Sequence, residues 1–332
     1  MSLLVEQIKN LVREQVVPNV SYAYLNQGQW IQGQYGVNTW QPQVSPLPAH
    51  PLYDLASLTK VLGTTTVLLN LIEQQKLTYD TPVKTILPEF SSEQVTLRHL
   101  MTHTSGIQGF IPHRDQLTAK QLMQAILQLP VTSDFNRIIN YTDTGPLIAG
   151  WMVEKICQQP IQLVIQKLVL RPLKLPMATF TPNPSQCVVT NQRGFHWLRG
   201  EVHDPKAYQL KQHCGSAGLF AGIPDLIYFS RWLLGQVQPA SAPVSQKILK
   251  QLFQSFTNVA PGRSFGWNLL WGQQKQPILY HTGYTGNFWL LDRWQQRALI
   301  VLSNRVHPIN NNQRFLIRRR AIIDNFLNAR SN

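Results

Sequence analysis

Strand-like segments lie at the two ends of this chain and helical ones fill its middle, an order that leaves few ways to build a sheet. A first helix carries Leu4, Ile8, Leu11 and Val12 on one face. Residues 20–25 and 30–37 then read as strands, joined by the turn residues Asn26, Gln27, Gly28 and Gln29. From about 57 to 234 the pattern is mainly helical with many Pro and Gly breaks. Within it, 62–72 is dense enough in apolar residues for a buried helix, and 121–129 and 147–156 are further helical segments. Strand character returns at 277–281, 287–292 and 298–303, before an amphipathic helix closes the chain. Strands at both ends with helices inserted between them predict a mixed α/β (α+β) fold whose sheet is completed by the C-terminus. The sheet part is expected at about 1–56 and 235–332, and the helical part at about 57–234. With no internal repeat, low-complexity tract or flexible linker, residues 1–332 are expected to form a single unit.

Composition narrows the class. With 43% hydrophobic and 14% charged residues the chain is globular, and 332 residues can bury a substantial core. Cys157, Cys187 and Cys214 are odd in number and widely spaced, so neither a disulfide framework nor a metal site is expected. The first fifteen residues lack a basic n-region and an apolar core, and no run of about 18 apolar residues occurs. A cytoplasmic protein without a membrane span is therefore expected. The net charge of +14 raises the question of nucleic acid. Its basic residues, however, are scattered among apolar ones. The dense run Arg314, Arg318, Arg319 and Arg320 accompanies Phe315, Leu316, Ile317, Ile322, Ile323 and Phe326 at helical spacing. This predicts a closing helix with its apolar face packed inward and a solvated basic face, so no nucleic-acid partner is expected.

Chemistry begins at Asp54-Leu55-Ala56-Ser57-Leu58-Thr59-Lys60-Val61. Ser57 stands where an extended segment passes into a helix, and Lys60 follows three positions later, on the same face. A serine hydroxyl is a poor nucleophile until a neighbouring group takes its proton, and helix N-terminal amides favour an oxyanion beside it. Taken alone, this spacing also describes a helix-capping serine followed by a solvated lysine.

Two later motifs decide between these readings: Asn140-Tyr141-Thr142-Asp143-Thr144-Gly145, and Tyr280-His281-Thr282-Gly283-Tyr284-Thr285-Gly286. With them the chain resembles the serine β-lactamase and penicillin-binding-protein superfamily, in particular the class C β-lactamase-like branch that includes esterases and D-amino-acid peptidases. That family carries S-x-x-K, Y-x-N or Y-x-D, and K-T-G or H-T-G in this order. The stretches 100–107, 202–204 with 215–220, and 304–308 resemble further segments of the family, so the likeness covers roughly residues 20–320. It implies a β-lactamase/transpeptidase-like fold: an antiparallel sheet formed by both chain ends, flanked by helices, with a mainly helical inserted subdomain.

It also implies a serine hydrolase acting through an acyl-enzyme on small esters or amides. In that reading Ser57 is the nucleophile, Lys60 holds or shuttles its proton, and Tyr141 is general base and then acid. The backbone N–H groups of Ser57 and Tyr284 would form the oxyanion hole, each donor worth ~3 kcal/mol. His281, Thr282 and Gly283 would be the strand edge along which substrate lies, and Asp143 a further substrate contact. Two departures bear on substrate. His281 replaces a lysine, and neutral imidazole holds a carboxylate less firmly than ammonium does. Asp143 replaces an asparagine that can donate to an amide, and it could instead pair with Lys60, leaving Tyr141 as base. Both lean toward an esterase or a peptidase on small amides. The small-molecule partner is thus an ester or amide, with a β-lactam or a D-amino-acid peptide as further possibilities. His103, His203, Asp204 and Arg305 read as scaffold.

There is no G-x-S-x-G elbow, H-E-x-x-H, P-loop or G-x-G-x-x-G, so no cofactor and no metal is expected. The competing readings are a penicillin-binding or sensing protein of the same fold with little turnover, and a basic binder of anionic polymers. No motif fixes the oligomeric state.

Overall fold

The computed structural model describes residues 3–310 and 312–329; Met1, Ser2, 330–332 and position 311, which the expected 1–332 unit includes, lie outside the described residues. Seven strands form one sheet: β1 (Asn19–Asn26), β2 (Gln29–Thr39), β3 (Ser45–Pro46), β4 (Asn268–Trp271), β5 (Pro277–Thr282), β6 (Phe288–Asp292) and β7 (Arg297–Ser303). Their order is β3-β2-β1-β7-β6-β5-β4, every pairing antiparallel. The chain ends meet in the centre, where β1 pairs β7 from Val20 opposite Ser303 to Leu25 opposite Ala298. That pairing gives each strand's backbone groups partners in the sheet interior.

Both faces of the sheet are covered, as its side-chain alternation shows. On one face Val20, Tyr22, Phe288, Leu290, Leu299 and Val301 pack against α1 (Leu3–Arg13) and the C-terminal helix Gln313–Asn328. On the other, Ala23, Leu25, Trp289, Leu291, Ile300 and Leu302 join the large core beneath the inserted helices. Burial on both faces is why the central strands read as continuous apolar runs. The C-terminal helix buries Phe315, Ile322, Ile323 and Phe326, but Ile317 is 70% exposed. Its apolar face is therefore narrower than expected, because Ile317 lies between the arginines on the outer side.

Further differences have local causes. The helix expected at 121–129 runs Ala119–Leu127, because Thr118 and Gln121 form a capping box that starts it earlier. Strands β3 and β4 are too short, at two and four residues, to show period-two alternation. The helix expected at 62–72 begins with a π-helical turn, Lys60–Thr64, and continues as α2 (Thr65–Glu73). The wide turn begins at the buried Lys60, and such turns gather at functional sites.

One fully buried side chain ties the sheet to the helices. Trp289 packs edge-on to Trp267 and against Phe229, and its indole N–H donates to Ser230 Oγ at 2.9 Å. Trp289→Ala should lower the unfolding free energy by about 3–5 kcal/mol, read from urea or thermal unfolding. A loss below about 1 kcal/mol would show that this junction does not hold the layers together.

Candidate active site

Ser57 follows a short extended segment that is fastened on several sides. Tyr53–Asp54 pairs with Phe220–Ala221, and Leu55 N–H donates to Leu219 O at 2.9 Å. Thr285 Oγ1 and Asn287 Nδ2 both donate to Asp54 O, at 2.9 and 2.8 Å. Ala56 adopts a left-handed φ of +46°, a conformation costly for a residue with a Cβ. The Asp54 carboxylate accepts from its N–H at 2.8 Å, and from His203 N–H at 2.7 Å, which holds the bend. Burial raises the Asp54 carboxyl to about 6, against these two hydrogen bonds. The bend delivers Ser57 to the first turn of the helix with its N–H outside the helical ladder.

Lys60 is 1% exposed and all three of its ammonium protons have acceptors. Nζ donates to Ser57 Oγ at 2.7 Å, to Asp143 Oδ1 at 2.7 Å and to Ser216 O at 3.1 Å. Burial alone would lower this ammonium, but Asp143 and Tyr141 hold it above the usual lysine range. Asp143 Oδ2 accepts from Lys206 Nζ, a residue no sequence motif pointed to. Burial pushes the Asp143 carboxyl up, and the two lysines more than offset it, so the group lies well below the ordinary carboxylate range. The carboxylate that could have contacted substrate thus spends both oxygens on cations.

This gives a pH signature. A carboxyl whose folded-state value is depressed adds stability that is complete above its unfolded value, about 3.9, and is lost as pH falls below it. The thermal midpoint of the parent protein should exceed that of Asp143→Asn most at pH 5–7, and the gap should close progressively below about pH 4. A gap that stays constant to pH 2.5 would contradict the ion-pair assignment.

Tyr141 is delivered by a different set of contacts. It precedes helix α3 (Thr144–Cys157), whose first turn lies so close to Leu100 O that a Cβ on Gly145 would come within 2.4 Å. His103, itself left-handed at φ +58°, accepts Asn140 N–H at its carbonyl (2.9 Å) and Thr142 N–H at Nδ1 (3.3 Å). The stretch 100–107 is thus the cradle of the tyrosine. The Tyr141 ring is 44% exposed, lies 4.6 Å from the His103 ring, and has Lys60 Nζ 5.6 Å from its centroid.

A cavity of about 450 Å³ brings Ser57, Tyr141, Asp143, Lys206, Thr282 and Tyr284 to one surface. Among the described residues neither Ser57 N–H nor Tyr284 N–H donates a hydrogen bond, so both are available to an oxyanion. Tyr284 is clamped: Arg305 Nε donates to its carbonyl at 2.7 Å, the Arg305 guanidinium sits 4.5 Å over its ring, and His203 stacks on it at 5.5 Å. Arg305 holds Tyr284 from outside the cavity, whereas His203 and Asp204, which caps the helix Pro205–Leu210, both line the cavity.

Two of the expected strand-edge residues do not face the cavity. The His281 side chain is 1% exposed and points inward, its Nδ1–H donating to Thr282 O at 3.0 Å. Burial, then the charges of Arg263 and Lys60, hold this imidazole well below its ordinary value, so it is neutral. Gly283 faces the segment before Ser57, and a Cβ there would lie 2.5 Å from Leu55 O. Its role is close approach between β5 and that segment. Sequence alone could not show this, because both faces of β5 are covered.

Comparison with known proteins agrees with this architecture. Residues 4–322 match the protein family described as Beta-lactamase. The N-acetylmuramyl-L-alanine amidase of Bacillus subtilis (strain 168) is 24% identical over 301 residues, covering 77% of this chain and 68% of that protein. A putative D-alanyl-D-alanine carboxypeptidase of Escherichia coli (strain K12) is 25% identical over 309 residues, covering 79% and 71%. Among solved structures, a class C beta-lactamase superposes with a TM-score of 0.80 at 18% identity, covering 98% of this chain and 96% of that one. Among the described residues, no helix is long and apolar enough to cross a membrane.

Proposed function

The chain belongs to the Beta-lactamase family, and we propose that this serine hydrolase cleaves small esters or amides through an acyl-enzyme formed on Ser57. The observation that carries the reading is the Lys60 ammonium, whose three protons go to Ser57 Oγ, Asp143 and Ser216 O. A lysine so saturated stays charged and cannot accept the serine proton. It orients Ser57 Oγ and stabilises negative charge there. Tyr141, on the same cavity wall, is then the base.

In the acylation step Tyr141 starts as the phenolate: Ser57 Oγ bonds to the substrate carbonyl carbon while its proton passes to Tyr141 Oη, giving the neutral phenol. The carbonyl electrons move onto oxygen, which the N–H groups of Ser57 and Tyr284 receive. Tyr141 returns the proton to the leaving oxygen or nitrogen, that bond to carbon breaks, and the acyl group remains on Ser57. Water, activated by the same tyrosine, then releases the acid.

Substrate class follows from what is unavailable as well as from what is present. Asp143 is engaged by Lys60 and Lys206, and His281 is neutral and turned inward. Neither supplies the amide donor or the fixed cation of the penicillin-recognising pattern. This favours compact esters and amides over β-lactams. The amidase and carboxypeptidase names among the relatives support including amides, D-amino-acid peptides among them. Mixing the protein with p-nitrophenyl butyrate should release a burst of nitrophenol equal to the enzyme concentration when deacylation is the slower step. Turnover with neither burst nor trappable adduct would count against the acyl-enzyme.

A further inference from the structure

Arg263 stands in the loop before β4 and has no place in the chemistry above. It is 3% exposed; Nη1 donates to Asn268 Oδ1, while Nε and Nη2 are buried and without a partner among the described residues. None of the ion pairs among the described residues includes it. A buried guanidinium without a carboxylate is costly, and arginine does not escape the cost by losing its proton at neutral pH. Burial pulls the group down only to about 10, so the charge remains.

Its position explains what the charge faces. The guanidinium carbon lies 5.4 Å from the Tyr141 ring centroid, beside the 5.6 Å approach of Lys60 to the same ring. The other titratable groups around this ring are His103 and His281, both neutral, and Asp143 with its partner Lys206. Asp204 faces the same cavity. Arg114 on the same wall pairs with Asp115, so Lys60, Lys206 and Arg263 against Asp143 and Asp204 leave one positive charge unmatched, and the Tyr141 hydroxyl is an acidic group that the Arg263 charge reaches. Arg263 is 3% exposed and stands behind the cavity wall, on the far side of the residues that line it.

We infer that Arg263 is a positioning residue that stabilises negative charge on Tyr141. The inference rests on Tyr141 being the base. It predicts that Arg263 acts on the tyrosine's proton and not on substrate binding.

The test is the pH dependence of kcat/KM for p-nitrophenyl butyrate, with Ser57→Ala as the blank. Arg263→Gln should move the acidic limb to higher pH by about one unit, a roughly tenfold loss at fixed pH on that limb that is recovered at higher pH. KM should stay within about twofold. Arg263→Lys should restore most of the limb, and in Tyr141→Phe the Gln substitution should have no further effect on the profile. An unmoved limb in folded Arg263→Gln, or a change confined to KM, overturns the inference and leaves the Ser57 reading standing. If the Gln variant does not fold, a full-unit shift in Arg263→Lys overturns it. Wild-type protein without Ser57-dependent turnover overturns the underlying reading and this inference with it.

Discussion

Ser57→Ala should reduce hydrolysis of an activated ester by a factor on the order of 10⁴ or more, while the thermal midpoint changes little. The hydroxyl is the only group lost, and although one Lys60 proton loses its acceptor, Nζ keeps Asp143 Oδ1 and Ser216 O. Steady-state hydrolysis with matched thermal melts measures both. A variant retaining more than about a tenth of parental activity would place the nucleophile elsewhere.

The second large effect belongs to Tyr141. Tyr141→Phe removes one oxygen from a half-exposed ring that remains held by its neighbours, the His103 ring at 4.6 Å and the His281 ring at 5.9 Å. Loss of a positioned acid–base group costs roughly 10²–10⁴-fold. The drop should fall on kcat and on kcat/KM alike, with KM little changed, because the phenol acts on a proton and not on binding. Lys60→Met provides the contrast. It should lose activity comparably but also lose stability, since Asp143 would keep Lys206 alone and Ser216 O would lose its donor. Equal, small effects from Tyr141→Phe and from a remote surface substitution would remove the tyrosine from the mechanism.

Much of this was legible in the chain because it is written in local spacing. The split of strands between the two ends forced the β1–β7 pairing, and the three-residue step from Ser57 to Lys60 put both on one helix face, where Nζ and Oγ lie 2.7 Å apart. The possible pairing of Asp143 with Lys60 could be framed from charge alone, and the ion pair is present. Other features are tertiary and left no local mark. Lys206 follows a helix-starting Asp204-Pro205, which explains where its helix begins but not that its ammonium crosses to Asp143. Arg263 sits in a loop with no motif around it, and only burial makes it unusual. The inward turn of His281 depended on knowing that β5 is covered on both faces. The π-helical turn Lys60–Thr64 had no signature either, because its sequence is an ordinary apolar helix start.

The claim on which the rest depends is that Ser57 carries the acyl group. Intact mass spectrometry of the parent and of Ser57→Ala, each exposed to a fluorophosphonate probe and separately to a penicillin, tests it most directly. The account predicts one fluorophosphonate adduct on the parent, none on Ser57→Ala, and slower or no labelling by the penicillin. An equal adduct on both proteins, or none on folded parent protein with either probe, would contradict it.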